Sequence, residues 1–211
     1  MAAGITVVVD YGLCNTDSMI RALEECGATR VERTRDPRLV GESDRIVLPG
    51  VGTFARAMHN LVEWNLLDVI RDKSARGVPF LGSCLGMQLM ARRGIEGGSE
   101  PIEGIGLVDG EVLQLASQSA DERVPHIGWN EVTAKSSSAL FKGVPENADF
   151  YFVHSYHLRL ADPADEAGRT PYCGGFTSAI AVSGKPIFGA QFHPEKSQKG
   201  GFQVIRNFLA A

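Results

Sequence analysis

Over the first 90 residues, short unbroken apolar runs alternate with segments of helical periodicity. Ile5–Val9 opens as a strand. Asn15 or Thr16 then stands where a helix is capped, Met19, Ala22, Leu23 and Cys26 recur at i, i+3, i+4 and i+7, and Gly27 follows as a left-handed stop. That spacing predicts a helix with Cys26 on its core side. Arg45–Leu48 reads as a strand running into Pro49-Gly50-Val51-Gly52. Phe54, Ala57, Met58, Leu61 and Val62 then form one stripe along a long helix, and Val78–Leu81 makes a further strand. Continuous rather than alternating apolar runs suit strands covered on both faces, which is the pattern of parallel strands joined by crossover helices.

Beyond Arg93 the texture changes. Gly94–Gly110 is rich in glycine, and Gly106–Leu115 and Gly128–Thr133 read as shorter, half-exposed strands, expected as antiparallel additions to the same sheet. Ser117–Arg123 and Lys135–Ser138 read as exposed loops, both too short to link domains. Strands are expected near Asp149–Val153, Ala179–Val182 and Ile187–Ala190, followed by a closing helix with Phe202, Ile205 and Leu209 on one side. The expected fold is a single α/β domain over residues 1–211, an open mixed and largely parallel sheet with flanking helices and antiparallel additions.

Composition narrows the partners. Hydrophobic residues make up 44% and charged ones 22%, which excludes disorder by composition. The 21 basic and 25 acidic side chains give a net charge of −4, and with no basic block neither nucleic acid nor an anionic membrane surface is expected. The longest apolar stretches fall far short of the roughly 18–20 residues that span a bilayer. Met-Ala-Ala-Gly-Ile-Thr lacks the positive start of a secretory leader, so a cytoplasmic location is expected. Cys14, Cys26, Cys84 and Cys173 lie far apart with no Cys-x-x-Cys pair, so neither a disulfide framework nor a zinc cluster is expected, and no metal or cofactor is called for.

The strongest local signal is Val78-Pro79-Phe80-Leu81-Gly82-Ser83-Cys84-Leu85-Gly86-Met87-Gln88, a buried strand that meets Gly-x-Cys-x-Gly and continues as a helix. This is the spacing of a nucleophile elbow with sulfur in place of oxygen. Such a sharp turn needs small neighbours, and Gly82 and Gly86 supply them. At a helix start the sulfur would meet unpaired N–H groups and the positive end of the dipole, both complementary to an anion. The alternative is a buried cysteine in a glycine-rich turn.

A thiol nucleophile wants an imidazole, and the imidazole wants a group to fix its tautomer. Among five histidines, His193 in Gln191-Phe192-His193-Pro194-Glu195 is the best candidate. A strand ends there, and in an extended chain residues two apart point the same way, so Glu195 can meet the ring. Cys84 and His193 would converge at the carboxyl ends of strands, where sites form in open α/β sheets. Alone, His193 would read as an ordinary strand-end histidine. His154 and His157 fall on opposite faces of a strand-like run, which argues against a metal site. His126 and His59 read as polar edge residues, and Arg30, Arg33, Arg35 and Arg38, mixed with Glu32 and Asp36, as solvated surface. A tetrahedral intermediate on sulfur needs donors for its oxyanion. Leu85 N–H is one by elbow geometry, and Gly50, Val51 and Gly52 can turn a peptide toward the site, unless that loop is simply a connection.

Leu-Pro-Gly-Val-Gly-Thr-Phe, Gly-Ser-Cys-Leu-Gly-Met-Gln, Val-Pro-His-Ile-Gly-Trp-Asn, Tyr-Phe-Val-His-Ser-Tyr and Gln-Phe-His-Pro-Glu-Lys-Ser-Gln occur in that order over almost the whole chain. In these motifs the sequence resembles the class I (triad) glutamine amidotransferases, in the branch of the glutaminase subunits of imidazole glycerol phosphate synthase. The resemblance implies a flavodoxin-like fold and hydrolysis of glutamine to glutamate and ammonia. Cys84 would be the nucleophile, His193 the general base and then acid, and Glu195 the group that orients the ring. It further implies Gly52, Gln88, Glu96, Ser155 and Tyr156 as glutamine contacts and Gly50–Gly52 as a switchable oxyanion strand. The ammonia would pass to a (β/α)8 cyclase subunit of histidine biosynthesis, with Asn15 and Lys196 near that partner. The first loop departs from the family's Tyr-Gly-x-Gly-Asn by placing Cys14 at the second glycine. A nucleotide-sugar amidotransferase of surface polysaccharide synthesis is therefore kept as a second ammonia acceptor. A thiol peptidase or deglycase is disfavoured by Glu195, and a catalytically silent interaction module is the remaining class.

Overall fold

The computed structural model describes residues 2–146 and 148–211; Met1, part of the stretch read for a leader, and Asn147 lie outside them. The first half runs β1 (Ala2–Val9), α1 (Thr16–Glu25), β2 (Ala28–Thr34), α2 (Pro37–Glu42), β3 (Arg45–Gly50), α3 (Phe54–Glu63), α4 (Leu66–Ala75), β4 (Phe80–Cys84) and α5 (Leu85–Leu89). Then come β5 (Arg93–Gly94), β6 (Ile102–Glu103), β7 (Gly110–Gln114), β8 (His126–Glu131), β9 (Thr133–Ala134), β10 (Asp149–His154), β11 (Tyr156–Leu160), β12 (Glu166–Thr170), β13 (Phe176–Ala181), β14 (Ile187–Ala190) and α6 (Gln198–Leu209).

The main sheet has eight strands in the order β2-β1-β3-β4-β14-β13-β12-β9. The pairs from β2 through β14 are parallel, and β13, β12 and β9 continue antiparallel. Alternate residues of its central strands serve two cores. Val7, Val9, Ile46, Leu48 and Phe80 pack on one side, Val8, Val47 and Leu81 on the other. Covered on both faces, these strands carry the unbroken apolar runs seen in the sequence.

Three expectations are corrected. Gly106–Leu115 and Gly128–Thr133 do not extend the main sheet: β7 joins the sheet β11-β7-β5-β6, and β8 pairs with β10 in a two-stranded sheet. Period-2 patterning identifies a strand but not its neighbour, and β14 already takes β13 on its open side. The long helix after Gly52 is two, because Asn65 adopts φ 56°, a left-handed conformation that ends α3 and starts α4 in a new direction. Val62 is 58% exposed at the end of α3 rather than part of the buried stripe. Cys26, by contrast, is on the core side as its spacing predicts, half-buried against the second core with its thiol donating to Phe202 O at 3.3 Å.

The strand-to-helix turn of β4 into α5 is tightly packed. A Cβ on Gly82 would lie 2.7 Å from Gly86 O, and a Cβ on Gly86 would collide with Leu48 O of β3. Gly86→Ala therefore forces α5 away from the sheet. Urea unfolding of that variant is expected to show a loss of about 1–3 kcal/mol, and an unchanged midpoint would contradict the close approach.

Candidate active site

Parallel register brings the ends of three strands level. Gly50 of β3 pairs with Cys84 of β4, and Ala190 of β14 pairs with Ser83. Cys84 has φ 53° and ψ −113°, a strained conformation for a residue with a side chain, held by the glycines on either side. Its sulfur is 5% exposed with its residue and makes two long contacts, donating to Val153 O at 3.8 Å and accepting from Gln191 Nε2 at 3.9 Å.

His193 follows β14 by three residues, and Glu195 lies in the one-turn 3-10 helix Pro194–Lys196 that His193 caps. The carboxylate and ring meet, Nδ1 to Oε1 at 2.8 Å, both side chains nearly sealed from water. The sequence spacing placed them together, but through a helical turn instead of an extended strand. The histidine backbone is clamped: His193 N donates to Tyr151 O at 2.9 Å, Ser197 Oγ donates to His193 O at 2.6 Å, and Tyr151 N donates to Ser197 Oγ at 3.0 Å.

Burial by itself would push the His193 ring toward its neutral form. Interaction with the Cys84 sulfur and with Glu195 outweighs burial and raises its pKa to about 10. The sulfur is close enough to bias the ring without being aligned as a hydrogen bond, since the thiol points at Val153 O and the buried Nε2 has no hydrogen-bond partner. With Nδ1 held by the carboxylate, Nε2 is the nitrogen left to exchange a proton. The array is thus a thiol beside an imidazole whose far nitrogen is fixed by a carboxylate.

Val51, Gly52, Cys84, Leu85, Gln88, Glu96 and residues 153–156 line a cavity of about 180 Å³. This gathers all five residues expected to contact glutamine beside the sulfur, in a space below the several hundred Å³ usual for larger ligands. Gln88 Nε2 donates to Tyr156 O at 2.7 Å and to Gln191 Oε1 at 3.1 Å. Glu96 Oε2 accepts from Phe54 N at 3.1 Å; burial raises its pKa and that bond opposes the shift. Asn15 and Lys196 lie outside the cavity and are exposed, the lysine 5.8 Å from the centre of the Tyr151 ring. The Val51 N–H is not turned toward Cys84 but donates to Leu13 O at 2.7 Å. Cys14 fits its loop without a positive φ, its sulfur 3.7 Å from both Val9 O and Asp10 Oδ1.

Two groups went unread in the sequence. Gln191, fully buried, joins Gln88 to the sulfur, and the Gln-Phe-His-Pro-Glu segment carries it in plain view. His126 is no edge residue: it is buried, stacked on Tyr172 at 4.1 Å and Phe152 at 4.9 Å, with Nδ1 3.1 Å from His154 Nε2. His154 Nδ1 donates to Tyr156 O at 2.8 Å, so its Nε2 accepts from His126. His59, by contrast, is on the surface beside Glu63 at 3.4 Å. The arginine cluster is likewise exposed, with Arg30 paired to Glu32, Arg33 to Asp17 and Arg35 to Asp10.

The model of the class-I glutamine amidotransferases matches residues 7–211. The chain belongs to that family. It is 43% identical over 201 residues to imidazole glycerol phosphate synthase subunit HisH of Moorella thermoacetica, covering 95% of this chain and 92% of that one. It is also 43% identical over 203 residues to the subunit HisH of Aquifex aeolicus, covering 96% and 95%. A solved glutamine amidotransferase shares the fold with a TM-score of 0.75 at 16% identity over 98% of both chains. Among the described residues no helix is long and apolar enough to cross a membrane.

The His193 ring stays charged in the fold at pH values where a free imidazole is neutral. It therefore stabilises the fold fully below about pH 6.5, and this contribution is lost as pH rises through about 10. Ring resonances followed by NMR should titrate near pH 10, and Cys84→Ala or Glu195→Gln should each bring the midpoint down. Burial lowers His126 to about 4 and, with neighbouring charges, His154 to about 3. The unfolded chain takes up those protons first, so stability measured by denaturation should fall as pH drops below about 6.5, and less steeply in His126→Gln.

Proposed function

We propose that the chain is the glutaminase subunit of an imidazole glycerol phosphate synthase, hydrolysing glutamine and delivering ammonia to a cyclase partner. The observation that carries this reading is the cavity at Cys84, lined by Gln88, Glu96, Ser155 and Tyr156 and backed by the His193–Glu195 pair. The names borne by the relatives favour histidine biosynthesis over nucleotide-sugar synthesis.

The Cys84 sulfur attacks the side-chain amide carbon of glutamine while His193 holds the thiol's proton. Collapse of the tetrahedral intermediate passes that proton from Nε2 to the leaving nitrogen, releasing ammonia and leaving a thioester. Water then gives a proton to the ring and its oxygen to the thioester carbon, and glutamate leaves as the sulfur regains its starting state. Glu195 keeps Nδ1 protonated and the ring aimed at the sulfur throughout. Glu96 would accept hydrogen bonds from the α-ammonium group. Ser155 O and Tyr156 O accept from Leu115 N and from Gln88 and His154, and the N–H groups of the same two residues would meet the α-carboxylate.

Leu85 N–H serves the oxyanion as one donor. The second, from Val51, is committed to Leu13 O, so activation requires the Gly50–Val51 peptide to turn. The partner would dock where Asn15 and Lys196 are exposed and thereby drive that turn. In the holo-complex Cys84→Ala should abolish glutamine-dependent synthesis, a fall of at least 10³-fold, while synthesis from added ammonium persists. Glutamine turnover surviving in that variant would refute the mechanism. Coexpression pull-down should capture a barrel cyclase; a sugar amidotransferase in its place would reassign the pathway.

A further inference from the structure

Tyr11 lies just past β1 with its ring in the core shared by β1, β3, α3 and α5, fully buried. Its main chain is pinned by Asn60 Nδ2, which donates to Tyr11 O at 2.8 Å. The hydroxyl has no hydrogen-bond partner. An unpaired buried hydroxyl is costly, and phenylalanine would fill the same space without that cost. Burial first, and the charges of Cys14 and Cys84 after it, keep the phenol well above its usual pKa, so it remains a proton donor.

The position of this orphan donor gives it a use. A Cβ on Gly50 would fall on the Tyr11 hydroxyl, with Leu85 Cβ 3.1 Å from the same point. Gly50 supplies the carbonyl of the peptide whose N–H belongs to Val51. In a trans peptide the two groups point in opposite directions. While Val51 N–H is bound to Leu13 O, the Gly50 carbonyl faces away from that loop. Turning the N–H toward Cys84 swings the carbonyl back toward Leu13, while the Tyr11 hydroxyl stands where a side chain on Gly50 would be, next to the Cα that carries this carbonyl.

We propose that Tyr11 is a positioning residue whose hydroxyl donates to the Gly50 carbonyl after that peptide has turned, holding Val51 N–H over the Cys84 sulfur. The inference rests on the glutaminase reading above. A donor unsatisfied in the resting arrangement and satisfied in the turned one narrows the gap between the two, so the hydroxyl favours the active state without touching glutamine.

Tyr11→Phe removes the hydroxyl alone. In the complex with the cyclase partner, kcat for glutamine hydrolysis is expected to fall about tenfold, equivalent to about 1.4 kcal/mol. KM should stay constant, because Tyr11 does not line the cavity, and Tm should be equal or higher. An unchanged kcat overturns the proposal, as does a fall in kcat accompanied by a lower Tm and a raised KM, which would mark Tyr11 as a packing residue. A second measurement needs no turnover. Gly50→Ala should lower Tm in the native background and lower it less when combined with Tyr11→Phe, since the colliding hydroxyl is gone; strictly additive losses would overturn the placement. A native complex that leaves glutamine intact would overturn the glutaminase reading and this inference together. An inactive Cys84→Ala beside an unimpaired Tyr11→Phe would overturn only this one.

Discussion

Gly50 pairs with Cys84 across β3 and β4, and Ala190 pairs with Ser83 across β4 and β14. Those pairings fix where three segments leave the sheet, and each segment brings a different chemical group: an amide-rich turn, a thiol and an imidazole. The pairings in turn depend on the absence of side chains at Gly82 and Gly86, which lets α5 start against the backbone of β3. Because parallel strands end side by side, residues more than a hundred positions apart reach one crevice without a long loop to carry them.

Around that crevice the polar atoms form one buried system. Gln88 ties Tyr156 O to Gln191, Gln191 reaches the sulfur, and His154 and His126 close the other flank. The direction of each bond is set by its neighbour, since His154 gives its Nδ1 proton to a carbonyl and so must accept at Nε2. Such a network is stiff in a low-dielectric interior. The oxyanion turn stands apart from it, with Val51 44% exposed and Gly52 at φ 111°, where glycine alone is at ease. Rigidity at the sulfur and freedom at the turn next to it are thus separated by a few ångströms.

Much of this was legible in the residues. β1, β3, β4 and β14 announced themselves as unbroken apolar runs, and the Gly-x-Cys-x-Gly and His-Pro-Glu spacings located the sulfur, the ring and the carboxylate. Strand partnership was not legible: β7 and β8 have the same half-apolar texture as strands that do join the main sheet, and only three-dimensional packing assigns them elsewhere. β2, with the polar Thr29-Arg30 and Arg33-Thr34, hid because an edge strand needs little hydrophobicity. His126 looked like a polar edge because nothing local shows that Tyr172 and Phe152 sandwich it. Gln191 passed unread because its role comes from two side chains about a hundred positions away.

Asn15 occupies the cap position of α1, yet its side chain makes no capping bond, and it faces solvent. Its amide owes nothing to the helix it precedes, so changing it costs the monomer little. A residue freed from internal duty at an outward corner answers to whatever surface it meets, so its identity can be held or changed there without disturbing the stability of the chain that presents it.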